Sequence, residues 1–142
     1  MAIATYDDAN LLLRLYEMRR EPVMRDARAW FAKNAKFASF EEFTQKCPPG
    51  SQENAYFRQV TTYQEMVASF LTSGVLNSEL FFQSGRELLM VWVRIRGIVP
   101  ALRESFQDPT AYRNLEHVAK MYVEWMNQQG PNVFEAFAKR IG

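Results

Sequence analysis

The chain has 142 residues, 48% of them hydrophobic and 23% charged, with a formal net charge of +1. That length closes one hydrophobic core without a disulfide or metal. A near-neutral balance gives no general electrostatic drive towards nucleic acid or an acidic surface, and a single cysteine excludes an internal disulfide or a cysteine-rich metal site.

The opening MAIATYDDAN has no basic region, apolar stretch or cleavage pattern of a secretory signal, so a cytoplasmic location is expected. At about 100° per residue, Tyr6, Ala9, Leu12, Leu13, Tyr16, Val23, Met24, Ala27, Trp30 and Phe31 share one side. The stripe keeps its phase through Pro22. Residues 6–34 therefore read as one long helix kinked before the proline, or as two helices with Pro22 at the first position of the second. Leu11, Leu15 and Met18 lie off that stripe. Either the helix is wrapped on two sides within the chain, or this strip meets another chain.

The segment 14–36 is basic: seven bases against three acids give +4, and the rest of the chain comes to −3. Arg14, Arg25 and Arg28 share a face with Glu17 and Glu21, which reads as a solvated, salt-laced surface. A phosphate-tracking face is the competing reading, but no helix-turn-helix joint supports it.

Ser39 caps a short helix that stops before Cys47, with Glu42 reaching back, and CPPGS is a loop. Ser51 caps the next helix, to about Ser73, with Tyr56, Val60, Tyr63, Val67, Phe70 and Leu71 inward and Gly74 at its end. Asn77 or Ser78 opens the longest apolar segment, to about Gln107, which Pro100 kinks. Its main face runs from Phe81 through Leu88, Val91, Ile95, Val99 and Leu102, with Phe82, Leu89 and Val93 on another flank. Arg94 falls on the back, as a solvated head on a buried stem. Arg96 falls nearer the apolar flank, so burial with a carboxylate partner (Glu65, Glu116 or Glu124) is expected there. Asp108-Pro109 restarts a helix that ends before Gly130-Pro131, and a last short one runs from Asn132 to about Ile141. The fold expected is all-α, one domain over 1–142, a bundle of about five to seven helices with a long kinked first helix and a long Pro-kinked central helix.

Chemistry is sparse. His117 is the only histidine and sits on a polar face, so no His-based metal site is expected. Cys47 has proline beside it and reads as a plain loop thiol. Paired acids at Asp7/Asp8 and Glu41/Glu42 suit helix starts. No nucleotide-binding glycine loop or nucleophile elbow occurs. The longest apolar run is six residues, far short of the ~20 that span a bilayer. No catalytic residue, cofactor, metal or membrane partner is expected.

From Gly74-Val75-Leu76-Asn77-Ser78-Glu79-Leu80-Phe81, through Gly85, Trp92, Pro100 and Arg103, to Asp108-Pro109 and Asn114-Leu115-Glu116, the chain resembles an uncharacterised family of bacterial helical proteins, a domain of unknown function. LYEMRREPVMRDARAWF resembles that family's N-terminal helix. Asn77 stands where the family has an acid and Leu115 where it has an aromatic. The resemblance spans about residues 6–125 and implies a bacterial, all-helical, non-enzymatic domain. It transfers no functional residue.

The function expected is a non-enzymatic protein-interaction or regulatory module working by helix faces, with itself or a partner, Leu11, Leu15 and Met18 being the interface candidates. The alternative is a binder of a small anionic ligand, or an enzyme with an inter-helix cavity, using Arg96 and Tyr63. Nucleic-acid binding through 14–36 ranks third.

Overall fold

The structure is a computed structural model and describes residues 3–142. Among them are nine helices: α1 (Tyr6–Arg19), α2 (Pro22–Asn34), α3 (Phe40–Lys46), α4 (Gln52–Thr72), α5 (Ser78–Phe82), α6 (Arg86–Ile95), α7 (Val99–Phe106), α8 (Arg113–Gln129) and α9 (Val133–Ile141). Each contributes at least one side chain to a single buried apolar cluster. The all-α, one-domain fold agrees with the sequence. The count of five to seven helices does not, because both long helices are broken.

The first breaks at Glu21, whose backbone (φ −58°, ψ 137°) leaves the helical region. Its carboxylate accepts from the Met24 N–H at 2.9 Å, and Pro22 follows in the first turn, where its missing donor costs nothing. Two helices is thus the form adopted. The apolar run 77–107 breaks twice, at Gly85 and again after Ile95, into α5, α6 and α7. Glycine is a poor helix former, and Gly85 and Gly97 stand at the two joints. Pro100 consequently starts α7 rather than kinking a continuous rod. A Cβ on Gly85 would sit 2.4 Å from the Phe81 ring, so this joint closes only around glycine.

The central rod is α4. It packs against α2, α6 and α8, and its buried residues, from Phe57 through Val60, Thr61, Gln64, Val67 and Ala68 to Leu71, occupy a wider arc than the stripe read from sequence. Its caps follow the sequence: Ser51 Oγ accepts from the Asn54 N–H at 3.0 Å, and Gly74 takes the left-handed conformation (φ 78°).

Asp108-Pro109 makes a turn instead of starting a helix, because Asp108 Oδ1 accepts from the N–H and hydroxyl of Thr110 at 2.9 and 2.6 Å. α8 begins four residues after Pro109. Its first turn is held by Glu65 of α4, whose Oε1 accepts from the Leu115 N–H at 2.8 Å.

The two arginines of α6 and its exit are the reverse of expectation. Arg96 is exposed. Arg94 is half-buried and donates from Nη1 to the carbonyls of Phe31 (3.3 Å) and Ala35 (3.2 Å), and from Nη2 to those of Ala32 (3.1 Å) and Ile141 (2.7 Å). These carbonyls belong to the C-terminal ends of α2 and α9, where the helix dipoles concentrate negative charge. The wheel places Arg94 correctly on the back of α6, but α2 and α9 fold over that back.

Candidate functional site

The first helix carries two apolar faces. Asp8 fixes its start: Oδ2 accepts from the Thr5 N–H at 2.8 Å and Oδ1 from the Asn77 N–H at 2.8 Å, tying α1 to the head of α5. These two backbone bonds hold the Asp8 carboxyl below its usual range. At the other end, the Tyr63 hydroxyl donates to the Leu15 carbonyl at 2.6 Å, and burial pushes that phenol up to about 12. Between these tethers Leu15 is buried, and Leu11 and Leu12 pack partly against the core.

The opposite side is open. Tyr6 is 89% exposed, Leu13 62% and Tyr16 57%. These residues belong to the stripe assigned to the core from sequence. Leu11 and Leu15, offered as interface candidates, face inward, so for them the packed reading of that strip describes the structure. Met18 is exposed on another flank. Tyr6, Ala9, Leu13 and Tyr16 recur at intervals of three, four and three, the spacing of a helix-pairing seam. Six of the nine large exposed hydrophobic residues lie between Ile3 and Val23. Four of them stand on α1 and three, Tyr6, Leu13 and Tyr16, on this seam, which distinguishes a patch from scattered surface residues.

Beside this helix lies a cavity of about 90 Å³, between α1, α4 and the α5–α6 joint. Leu12, Leu15, Val67, Phe81 and Leu88 form much of its wall, while Arg19, Gln64, Ser84 and Glu87 bring polar groups to it. Glu87 is bridged by two guanidinium groups. Arg28 binds it bidentately, Nε to Oε1 and Nη2 to Oε2, both at 2.7 Å, and Arg19 Nη2 approaches Oε2 at 2.9 Å. The Arg19 guanidinium also lies 5.3 Å from the Tyr16 ring centroid, a cation–π contact. Gln64 is 4% exposed, yet its amide makes no hydrogen bond with the described residues. Among the described residues the side-chain nitrogens sealed away without a partner are Arg19 Nε and Arg94 Nε, and Arg19 lines this cavity.

Tyr63 also lines this cavity, whereas Arg96 does not; Arg19 supplies the guanidinium instead. Gln64 was within reach of sequence reasoning, being a polar residue in phase with Val60, Val67 and Leu71. The Arg19–Glu87–Arg28 cluster was not, since it joins residues 59 apart in the chain.

Other reactive groups are engaged in structure. Cys47, the thiol read as lying in a loop, sits just past the end of α3 and is buried, and burial pushes it up to about 11. Tyr122 donates to the Phe82 carbonyl at 2.6 Å. Glu116 accepts from Arg103 at 2.9 Å, which lowers its titration below the ordinary range. His117 is exposed. In the basic segment Arg28 is committed to Glu87 and Glu21 to its cap, while Arg14 and Arg25 face solvent. Among the described residues no group of three or more His, Cys, Asp or Glu side chains is placed to hold a metal, and no helix is long and apolar enough to cross a membrane.

A protein-family model described as "Domain of unknown function (DUF4760)" matches residues 4–125, which takes in α1 to α7 and most of α8. No curated protein and no solved structure matches the chain.

Proposed function

The chain belongs to the DUF4760 family of domains of unknown function, and from that premise we propose that it is a non-enzymatic protein-interaction module whose contact element is α1. The observation that carries this reading is the open seam of Tyr6, Ala9, Leu13 and Tyr16 on a helix whose other face is already anchored. A helix fixed by Asp8 and Tyr63 presents that seam without having to order it on binding, which lowers the entropic cost of association.

The occupant is a second amphipathic helix, and the chain itself offers one. Two copies of α1 laid antiparallel match their seams and set the exposed Arg20 of each beside the N-terminal end of the other copy's helix. Antiparallel helix dipoles favour the same arrangement. Two tyrosines of roughly 150–250 Å² each, with Leu13 between them, leave the contact short of the roughly 800 Å² per partner of a standard stable interface. The dimer is accordingly weak, with a dissociation constant on the order of micromolar or above.

Sedimentation velocity across a concentration series tests this. The wild type moves from monomer towards dimer as concentration rises, and Leu13→Glu, which changes an exposed side chain, remains monomeric and folded. A wild type that stays monomeric throughout, or a dimer that Leu13→Glu leaves intact, overturns the proposal.

A further inference from the structure

We propose that the cavity between α1, α4 and the α5–α6 joint is a binding site for a small aliphatic carboxylate. Three features converge there. The first is Gln64, nine-tenths buried and more, lining the cavity with an amide that no described residue satisfies. An amide in that state has a donor to offer a carboxylate oxygen.

The second is charge. Glu87 is the only acid in the lining, and Arg19 and Arg28 both neutralise it, so the cluster keeps one positive charge in excess. Glu87 occupies only part of the Arg19 fork, through Nη2. The third is the head of α6, which forms one wall at Ser84, Gly85, Glu87 and Leu88 and has no side-chain cap. Of these wall residues only Glu87 offers a backbone N–H, since those of Ser84 and Gly85 donate to the Phe81 carbonyl and that of Leu88 to Gly85; a free N–H at a helix start favours an anion.

Size and wall chemistry narrow the class. About 90 Å³ is room for roughly three waters at about 30 Å³ each, or for a carboxylate bearing one or two further carbons. Leu12, Leu15, Val67 and Phe81 give a short aliphatic tail an apolar wall. Phosphate or sulfate has no tail to place against it. A cation meets Arg19 in the lining and the net positive charge of the cluster that Arg28 completes from behind Glu87. The mouth lies beside Tyr16, but the site works within one chain and does not depend on the pairing of α1.

The test is a titration of the full chain with propionate, followed by amide chemical shifts in nuclear magnetic resonance, with propionamide as the neutral isostere. Saturable millimolar shifts centred on Gln64, Ser84, Gly85 and Glu87 are expected, with propionamide binding at least about tenfold more weakly. Gln64→Leu fills the position with an apolar side chain of similar size; it keeps the fold and weakens propionate at least about tenfold. Arg19→Gln provides a second reading of the same loss should Gln64→Leu not fold. No saturable response, equal binding of propionamide, shifts centred elsewhere, or undiminished binding by a folded variant overturns the proposal and leaves the cavity to water.

Discussion

Phe57→Ala is expected to lower stability by about 3–5 kcal/mol, the range for deleting a fully buried phenyl ring. Phe57 is 2% exposed on α4, and its ring lies 6.2 Å from Phe31 of α2, 5.9 Å from Phe37 and 4.7 Å from Phe43 of α3, centroid to centroid. Three segments of the N-terminal half thus meet on one side chain. The void left by alanine has no short route to collapse, because α2 is held against α4 along its length and α3 is held by Phe43. Such a loss takes a fifth or more of the roughly 5–15 kcal/mol that holds a domain of this size together. Urea unfolding followed by circular dichroism shows it as a lower midpoint with an unchanged slope. Phe106, 57% exposed on α7, is the control: its replacement by alanine costs within about 0.5 kcal/mol. Equal effects at the two positions would contradict the core described above.

The second large effect belongs to Arg94. Its guanidinium serves four carbonyl oxygens at the ends of α2 and α9, which gather around it in place of a carboxylate. Burial disfavours its charge and lowers its titration below the ordinary value, so the four dipoles are what hold the cation in place. Arg94→Met keeps the apolar stem and removes the fork. Hydrogen bonds to a charged group contribute about 1.5–3 kcal/mol, and helix-end carbonyls recover part of that from water, so a net loss of about 2–3 kcal/mol is expected. Arg94→Lys restores less than half, because an ammonium is a point charge and cannot fork across two helix ends. Hydrogen exchange locates the change: amides at the end of α9 lose protection before those of α4. A uniform loss over the chain would show that Arg94 does not act as a local clasp.

How much of this was legible in the sequence depends on the reach of each interaction. Ser39, Ser51 and Asn77 cap their helices from within four residues; the two serines read correctly because the chemistry is local, and Asn77 was one of two adjacent candidates. Gly85 and Gly97 were visible too, but apolar periodicity across them favoured one rod, and the close approach of Phe81 that demands glycine is a tertiary fact. In α1 the wheel found two apolar strips and assigned the larger to the core. Residue type does not say which strip a neighbouring helix will cover; the tethers from Asp8 to Asn77 and from Tyr63 to Leu15, 69 and 48 positions away, decide it. The same distance in sequence hid the partners of Arg94 and the pairing of Arg19 and Arg28 with Glu87. Of the cavity's polar residues the sequence reading singled out Tyr63, while Gln64, an amide in a row of core positions, was passed over.

The account turns on α1 having one face spent on the fold and the other on a partner. Melting temperature as a function of protein concentration tests this in one experiment, since only a species that associates when folded gains stability with concentration. For the wild type the midpoint climbs with concentration, and for Leu13→Glu it starts at the same low-concentration value and stays flat. A wild-type midpoint independent of concentration, or a Leu13→Glu protein already less stable at the lowest concentration, would contradict the assignment of the two faces.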